Sequence, residues 1–355
     1  MKICLLALWG DSLTYTIASA LAYCGHEVGV KVADVERDSQ SKWSLSGRIG
    51  AIPGISLLGH GTGVPRGEFE HLIVQGHPLL LGYRELLDEL AAGVQRVTAV
   101  SAGDRSRSRS LAMKIQLREC RWYGRWLRKV GRVAYKDGFY PVDVMGLFGS
   151  RRVVGFDAHS KFLGDRSLFA ALHARDWESE RPRSVRANFL GSRDPAARSR
   201  ILDSVEDLFS NADAVSTRAA AGQRMVWHVY SDAQPAALGP RDFLGVLSDS
   251  DFTLAPIGYS LVTHRPVEAL LRGSVPVLDA AELDLYDLGL IDGVNCIAVP
   301  KGGWRTAMQR IVTMSEGQIV AMRRNIQSML TGRVDYPALA RNMSRRLGID
   351  GSART

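Results

Sequence analysis

The sequence predicts an α/β protein of two domains, each built on a parallel sheet. Three observations predict this. The 355 residues exceed one ordinary core and suit two domains of about 150–180 residues each. The first 32 residues read strand, helix, strand. Residues 251–278, DFTLAPIGYSLVTHRPVEALLRGSVPVL, read strand, loop, helix, strand, which is a second βαβ unit with a right-handed crossover.

In chain order, residues 2–9 form an apolar run expected to be a buried strand, 10–12 a turn, 13–23 a helix ending near Gly25, and 28–32 the next strand. No GxGxxG follows the first strand, which argues against an NAD-dependent dehydrogenase. Asp11 lies at the carboxyl end of that strand, where open α/β sheets place their ligand crevice. It is a candidate base for a substrate hydroxyl, or the cap of the first helix. Residues 59–68 (GHGTGVPRGE) are glycine-rich but lack the Gly-Lys-Ser/Thr of a phosphate-binding Walker loop, so they read as a surface connection or a substrate-binding loop. Residues 79–90 read as an amphipathic helix and 96–100 as a strand.

Residues 104–110 (DRSRSRS) are polar and repetitive, and 111–132 read as a helix. On it Lys114, Arg118, Arg121, Arg125, Arg128 and Arg132 recur at spacings of three and four, with Trp122, Tyr123 and Trp126 beside them. Such a stripe is either a solvated face or a face for an anionic membrane or polyanion. Residues 152–157 read as a strand ending in Asp157, the second candidate base. The charged, proline-containing run 178–183 (ESERPR) reads as a linker, giving an N-terminal domain over 1–180, a C-terminal domain over 184–330 and a terminal helical segment over 331–355.

The second domain is expected to open with a strand at 187–190 and the turn Gly191-Ser192-Arg193, followed by a helix over 196–209, a strand at 226–230 and a helix over 240–247. Asp249-Ser250-Asp251 has the Asp-x-Asp spacing some enzymes use to hold a divalent metal with a sugar nucleotide. Standing before the strand at Phe252, it reads instead as a helix-to-strand connection. After the central unit come an acidic loop at 280–293, a strand at 295–299, one long helix over 307–331 and another at 336–347.

Polar side chains concentrate in the loop and first helical turn of the central unit: Tyr259, Ser260, Thr263, His264, Arg265 and Glu268, just after Pro256-Ile257-Gly258. The start of a helix with Arg265 and His264 beside it suits a phosphate. Glu268, three residues past Arg265 and so on the same helical face, offers the acceptor oxygens that hold ribose hydroxyls. The plainer reading is that Thr263 caps the helix and Arg265 and Glu268 form a local ion pair worth under about 1 kcal/mol.

Residues 252–278 are similar to the signature of the exostosin-type glycosyltransferases (family 47): a strand, Pro-Arg-Gly, a loop, Ser-x-Arg-x-x-Glu-Ala, then Gly/Ala-Cys-x-Pro-Val. This chain carries Pro256, Gly258, Thr263 in the Ser position, Arg265, Glu268, Ala269, Val275, Pro276 and Val277. It departs at Ile257, where the family has Arg, and at Pro266. The resemblance implies a GT-B fold, two Rossmann-like domains facing across a cleft, with a sugar nucleotide held by the C-terminal domain. It further implies that Glu268 binds the ribose and that Thr263 and Arg265 lie along the diphosphate, with Gly258, Tyr259, His264 and Arg193 around the donor. The donor it implies is a UDP-sugar, held without a metal or other cofactor. Asp11 or Asp157 would then deprotonate a glycan, lipid-linked or small-molecule acceptor for inverting transfer. A non-catalytic nucleotide-sugar-binding subunit or membrane-docked scaffold is the alternative.

Composition narrows the partners. With 45 basic against 37 acidic residues the net charge is +8, favouring anionic ligands, and no nucleic-acid-binding motif appears. Cys4, Cys24, Cys120 and Cys296 stand far apart with no CxxC, so a zinc site or disulfide framework is not expected. Reduced cysteines, no signal-peptide pattern and no 18-residue apolar run lead us to expect a cytoplasmic protein, peripheral to the membrane through 111–132 if that stripe binds lipid.

Overall fold

The computed structural model describes residues 1–10, 12–40, 44, 52–59, 67–76, 78–101, 166–174, 176–194, 196–209, 216–220, 223–230, 238–258, 263–285, 288–333, 340–341, 344–345, 347 and 349. The basic helix expected at 111–132, the strand at 152–157 and most of the glycine-rich stretch 59–68 lie outside them. The chain divides into two compact units, one comprising Met1–Gly164 with Pro337–Thr355 and the other Asp165–Tyr336.

The first unit is built on a five-stranded sheet: β1 (Lys2–Ala7), β2 (Glu27–Val32), β3 (Ile55–Leu57), β4 (His71–Gly76) and β5 (Arg96–Ser101). The spatial order is β3-β2-β1-β4-β5 and every neighbouring pair is parallel. This is the doubly wound arrangement, in which the strand order reverses beside β1. Residues 3–8 are all buried because a central strand of such a sheet is covered on both faces. The two-residue period divides them: Ile3 and Leu5 pack with Ile17 and Leu21 of the helix Ser12–Tyr23, while Cys4 and Leu6 pack with Leu87 and Leu90 of the helix Arg84–Ala92. Ala340, Leu347 and Ile349, from the far end of the chain, complete the first of these clusters.

The second unit holds β6 (Val185–Ser192), β7 (Ser216–Ala220), β8 (Gln223–Tyr230), β9 (Ser250–Leu254), β10 (Val275–Asp279) and β11 (Ile297–Val299), in the order β11-β10-β9-β6-β8-β7. All pairs are parallel except the antiparallel edge pair β7–β8. The helix Arg265–Leu271 crosses from β9 to β10, as the sequence predicts. Its end is a Schellman turn: Ser274 N donates to Ala269 O (2.9 Å) and Gly273 N to Leu270 O (2.9 Å). Gly273 has φ +69, and a Cβ there would stand 2.4 Å from Trp177 Cε3. Gly273→Ala is therefore expected to cost about 2 kcal/mol or more, from the left-handed backbone and the blocked indole together, read as a lowered urea midpoint.

Two expected helices are each divided. In place of one helix over 307–331 there are Trp304–Thr313 and Glu316–Arg333. Ser315 starts the second with a capping box, Gln318 N donating to Ser315 Oγ (3.4 Å) and Ser315 N to Gln318 Oε1 (3.0 Å). The run 196–209 likewise becomes Ala196–Asp203 and Glu206–Phe209, with the Ser204 hydroxyl turned back onto Ile201 O (2.6 Å).

Asp251 lies inside β9 rather than before it, and it is 3 % exposed. Its carboxylate meets Arg186 Nη1 at 3.2 Å and contacts the fully buried Arg323 on the helix Glu316–Arg333. Asp249 accepts from Ser184 N (3.1 Å) and from the Ser184 hydroxyl. The Asp-x-Asp pair is thus occupied in binding the amino-terminal ends of β6 and β9 together. The run 178–183 is also held within this unit. Arg183 donates to Ser250 O (2.7 Å) and Arg272 O (3.1 Å), and Arg323 donates to Arg181 O (3.0 Å).

Burial pushes the Cys4 thiol up to about 12, the nearby Lys31 opposing it only in part, and burial does the same to Cys296. Neither forms thiolate near neutral pH, so both are expected to resist a thiol reagent at pH 8 until their surroundings open. One sits in each unit, so a pulse of reagent followed by peptide mass spectrometry reads the opening of each unit separately.

Candidate functional site

The candidate site grows out of how β6 and β9 part. Their ladder runs Val185↔Ser250, Ala187↔Phe252, Asn188↔Thr253 and stops there. Beyond it β6 stays with β8 as far as Ser192↔Tyr230. The chain leaving β9 follows β10 instead, Ala255 N donating to Val277 O (2.8 Å). This is also where the topology reverses, since β6 leads to β7 and β8 on one side while β9, β10 and β11 lie on the other. In an open parallel sheet such a switch point at the carboxyl edge is where ligands bind, because the connections diverge to opposite faces and leave a crevice.

Gly191 and Ser192 end β6 and Arg193 leads out of it on one side of this split, while Ala255–Gly258 lead out of β9 on the other. A parallel crossover obliges the helix Arg265–Leu271 to begin on the same carboxyl side, which brings Thr263, His264 and Arg265 to that edge. These three are half-buried. His264, rather than Thr263, is the N-cap residue, in a helical conformation (φ −75, ψ −18) and with no side-chain cap bond.

Arg265 is 14 % exposed at its side chain and lies with its guanidinium 4.5 Å from the centre of the Phe243 ring. Its Nη1 is 3.4 Å from Glu268 Oε2, and Glu268 has no exposed surface. The sequence places these two on one helical face, and the structure makes them a packed pair: the aromatic face and the buried carboxylate fix the guanidinium from two sides.

Arg193 is a third exposed at its side chain, and its guanidinium bonds Asp203 Oδ1 (2.5 Å) and Glu206. An incoming phosphate would compete with two carboxylates for it. Gly258 is buried at the end of the described loop. Asp11, Asp157 and Tyr259 lie outside the described residues.

One residue at this edge has no counterpart in the sequence reading. Arg198, on the helix Ala196–Asp203, donates through Nη1 to Ser192 O (3.1 Å) and through Nε to Ile257 O (3.1 Å), joining the end of β6 to the loop after β9 across the split. An arginine inside a charged helical segment carries no local signal of that role. Among the described residues no group of three or more His, Cys, Asp or Glu side chains is gathered as for a metal. No described helix is long and apolar enough to cross a membrane.

Two Rossmann-like α/β units with these strand orders make up the GT-B fold, and similarity to solved structures agrees. Sucrose-phosphate synthase from Thermosynechococcus elongatus matches with a TM-score of 0.51 at 14 % identity, over 97 % of this chain and 98 % of that one. Staphylococcus aureus MnaA, solved with UDP, matches at 11 % identity and a TM-score of 0.48, over 98 % of this chain and 97 % of that one. At 14 % identity the likeness to sucrose-phosphate synthase speaks for the fold alone. No protein-family model and no curated protein matches the sequence.

Proposed function

We propose that the protein is a glycosyltransferase of exostosin-like kind that takes a sugar from a nucleoside diphosphate donor, a UDP-sugar, and passes it to a hydroxyl of a glycan, lipid-linked or small-molecule acceptor. The observation that carries this reading is the parting of β6 and β9 at the switch point, with Arg265 at the same edge. The helix there has only seven residues, so its end contributes little dipole, and the cations supply the charge.

In this proposal Arg265, Thr263 and the adjoining backbone at Gly258 neutralise the diphosphate as it leaves, and His264 and Tyr259 flank it. Glu268 accepts from the ribose hydroxyls, which requires its pair with Arg265 to open as the nucleotide enters. Arg193 reaches the phosphates only by exchanging its two carboxylates for them. The acceptor hydroxyl, deprotonated by Asp11 or Asp157 of the first unit, attacks the anomeric carbon as the bond to the diphosphate breaks, inverting that centre. The net charge of +8 suits this polyanionic donor. The basic segment 111–132 would hold the protein at an anionic cytoplasmic membrane face.

The test is turnover. The protein is incubated with UDP-, GDP- and dTDP-sugars, with and without glycan acceptors, and release of nucleoside diphosphate is followed. Release that requires one nucleotide and falls in Arg265→Ala supports the proposal. Tight binding without any release would instead identify a non-catalytic nucleotide-sugar-binding subunit, a reading that the replacement of the family's arginine by Ile257 favours.

A further inference from the structure

The feature the proposed function leaves unexplained is the bridge made by Arg198. Ser192 and Ile257 each lie four residues past the last rung of the β6–β9 ladder, Asn188↔Thr253. At that level the two chains no longer share backbone hydrogen bonds, each having gone with its other neighbour. A single guanidinium takes the place of the missing rung, Nη1 on Ser192 O and Nε on Ile257 O, both at 3.1 Å.

The choice of side chain has a physical reason. The guanidinium is planar and directs its N–H groups along fixed lines, so two carbonyls bound by Nε and Nη1 are held at a set separation. An ammonium group is one donor centre on a flexible stem and imposes no such distance. Arg198 is half-buried, which strengthens both bonds relative to exposed ones, and its charge sits at the mouth of the split.

We propose that Arg198 is a positioning residue that sets the width of the crevice between β6 and β9, and with it the fit of the donor's diphosphate. This rests on the proposed nucleotide site. It extends that site to a residue on another helix, one that acts through the backbone carbonyls of the last β6 residue and of the loop after β9 rather than on the sugar.

The experiment uses the full chain and two variants, R198K, which keeps the charge without the fork, and R198A, which removes both. Binding of UDP is measured by calorimetry, thermal unfolding by scanning calorimetry, and amide exchange by mass spectrometry. Loss of two bridging hydrogen bonds is expected to weaken UDP binding about tenfold in R198K and further in R198A. Amide exchange should quicken in peptides spanning 191–194 and 255–258 while those spanning 223–230 keep the wild-type rate. R198K should unfold at the wild-type temperature to within about 2 °C, since one half-buried bridge at the sheet edge is a small part of the unit's stability.

UDP affinity equal to wild type in both variants overturns the proposal. So does faster exchange spread evenly over the second unit with a lowered unfolding temperature, which marks a general structural role. Should the wild-type chain bind no nucleotide, the assigned function fails. The bridge is then judged by exchange alone: unchanged rates at 191–194 and 255–258 in R198K and R198A refute it, and a local increase upholds it as the fixed width of an edge that receives some other ligand.

Discussion

Asp251→Ala is expected to cost the second unit about 3–5 kcal/mol, because it leaves two buried cations facing each other with no anion between them. Arg186 and Arg323 are each 4 % exposed or less, and Asp251 is the buried carboxylate between them. The remaining acceptors cannot replace it. Arg186 Nη2 has Glu316 Oε1 at 2.7 Å, but that side chain is 68 % exposed, and Arg323 Nη1 has only the carbonyls of Ser179 (3.2 Å) and Arg181 (3.0 Å). Burial, with the charge of Arg186 adding to it, already lowers Arg323 to about 10. Urea unfolding followed by thiol labelling checks this. Cys296 should become reactive at a markedly lower midpoint while Cys4 keeps its own. A Cys296 midpoint at the wild-type value would show that the cluster does not hold this unit together. Replacing all three charged residues by apolar ones of similar volume should recover most of the loss, since the cost lies in the uncompensated charges and not in missing attraction.

The second large effect concerns Glu268. Glu268→Ala should weaken UDP binding by about tenfold to a hundredfold, the range for removing a buried charged acceptor of hydrogen bonds. Two causes are separable. If Glu268 accepts from the ribose, the wild-type chain prefers UDP over 2′-deoxy-UDP and the variant loses that preference. If it serves only to hold Arg265 against Phe243, both nucleotides weaken by the same factor. In that case the double variant Arg265→Ala/Glu268→Ala should bind no worse than Arg265→Ala alone. Equal affinity of wild type and Glu268→Ala for UDP would remove Glu268 from the site altogether.

Much of the fold was legible in the sequence because parallel strands buried on both faces are apolar runs that need no context to be read. Residues 2–9 and 252–278 are such cases, and their strands and crossovers stand within two residues of where the pattern puts them. The strands β3 and β4 carry no such signal. Ile55–Leu57 is only three residues, and His71–Gly76 carries polar residues at both ends, so neither shows a period of its own. Buried polar groups explain β4's ends: His71 Nε2 shares a hydrogen bond with Thr98 (2.8 Å) and Gln75 accepts from Thr14 (2.6 Å), partners separated from them by 27 and 61 positions. The stretches 196–209 and 307–331 each read as one continuous helix because both carry apolar residues at helical spacing. Single serines, which spacing ignores, end or begin the turns within them.

The same division runs through the site. Order and spacing alone brought Arg265 and Glu268 to one helical face and put that helix after a strand's carboxyl end. Only the folded chain decided that Glu268 is wholly buried, that Arg193 is held by two carboxylates, that the Asp-x-Asp pair is structural, and that Arg198 joins the end of β6 to the loop after β9 across the split. The reason is one of range: a repeat along the chain records which face of an element is dry, whereas the partner of a buried charge is chosen by strand order, which no short stretch of residues encodes.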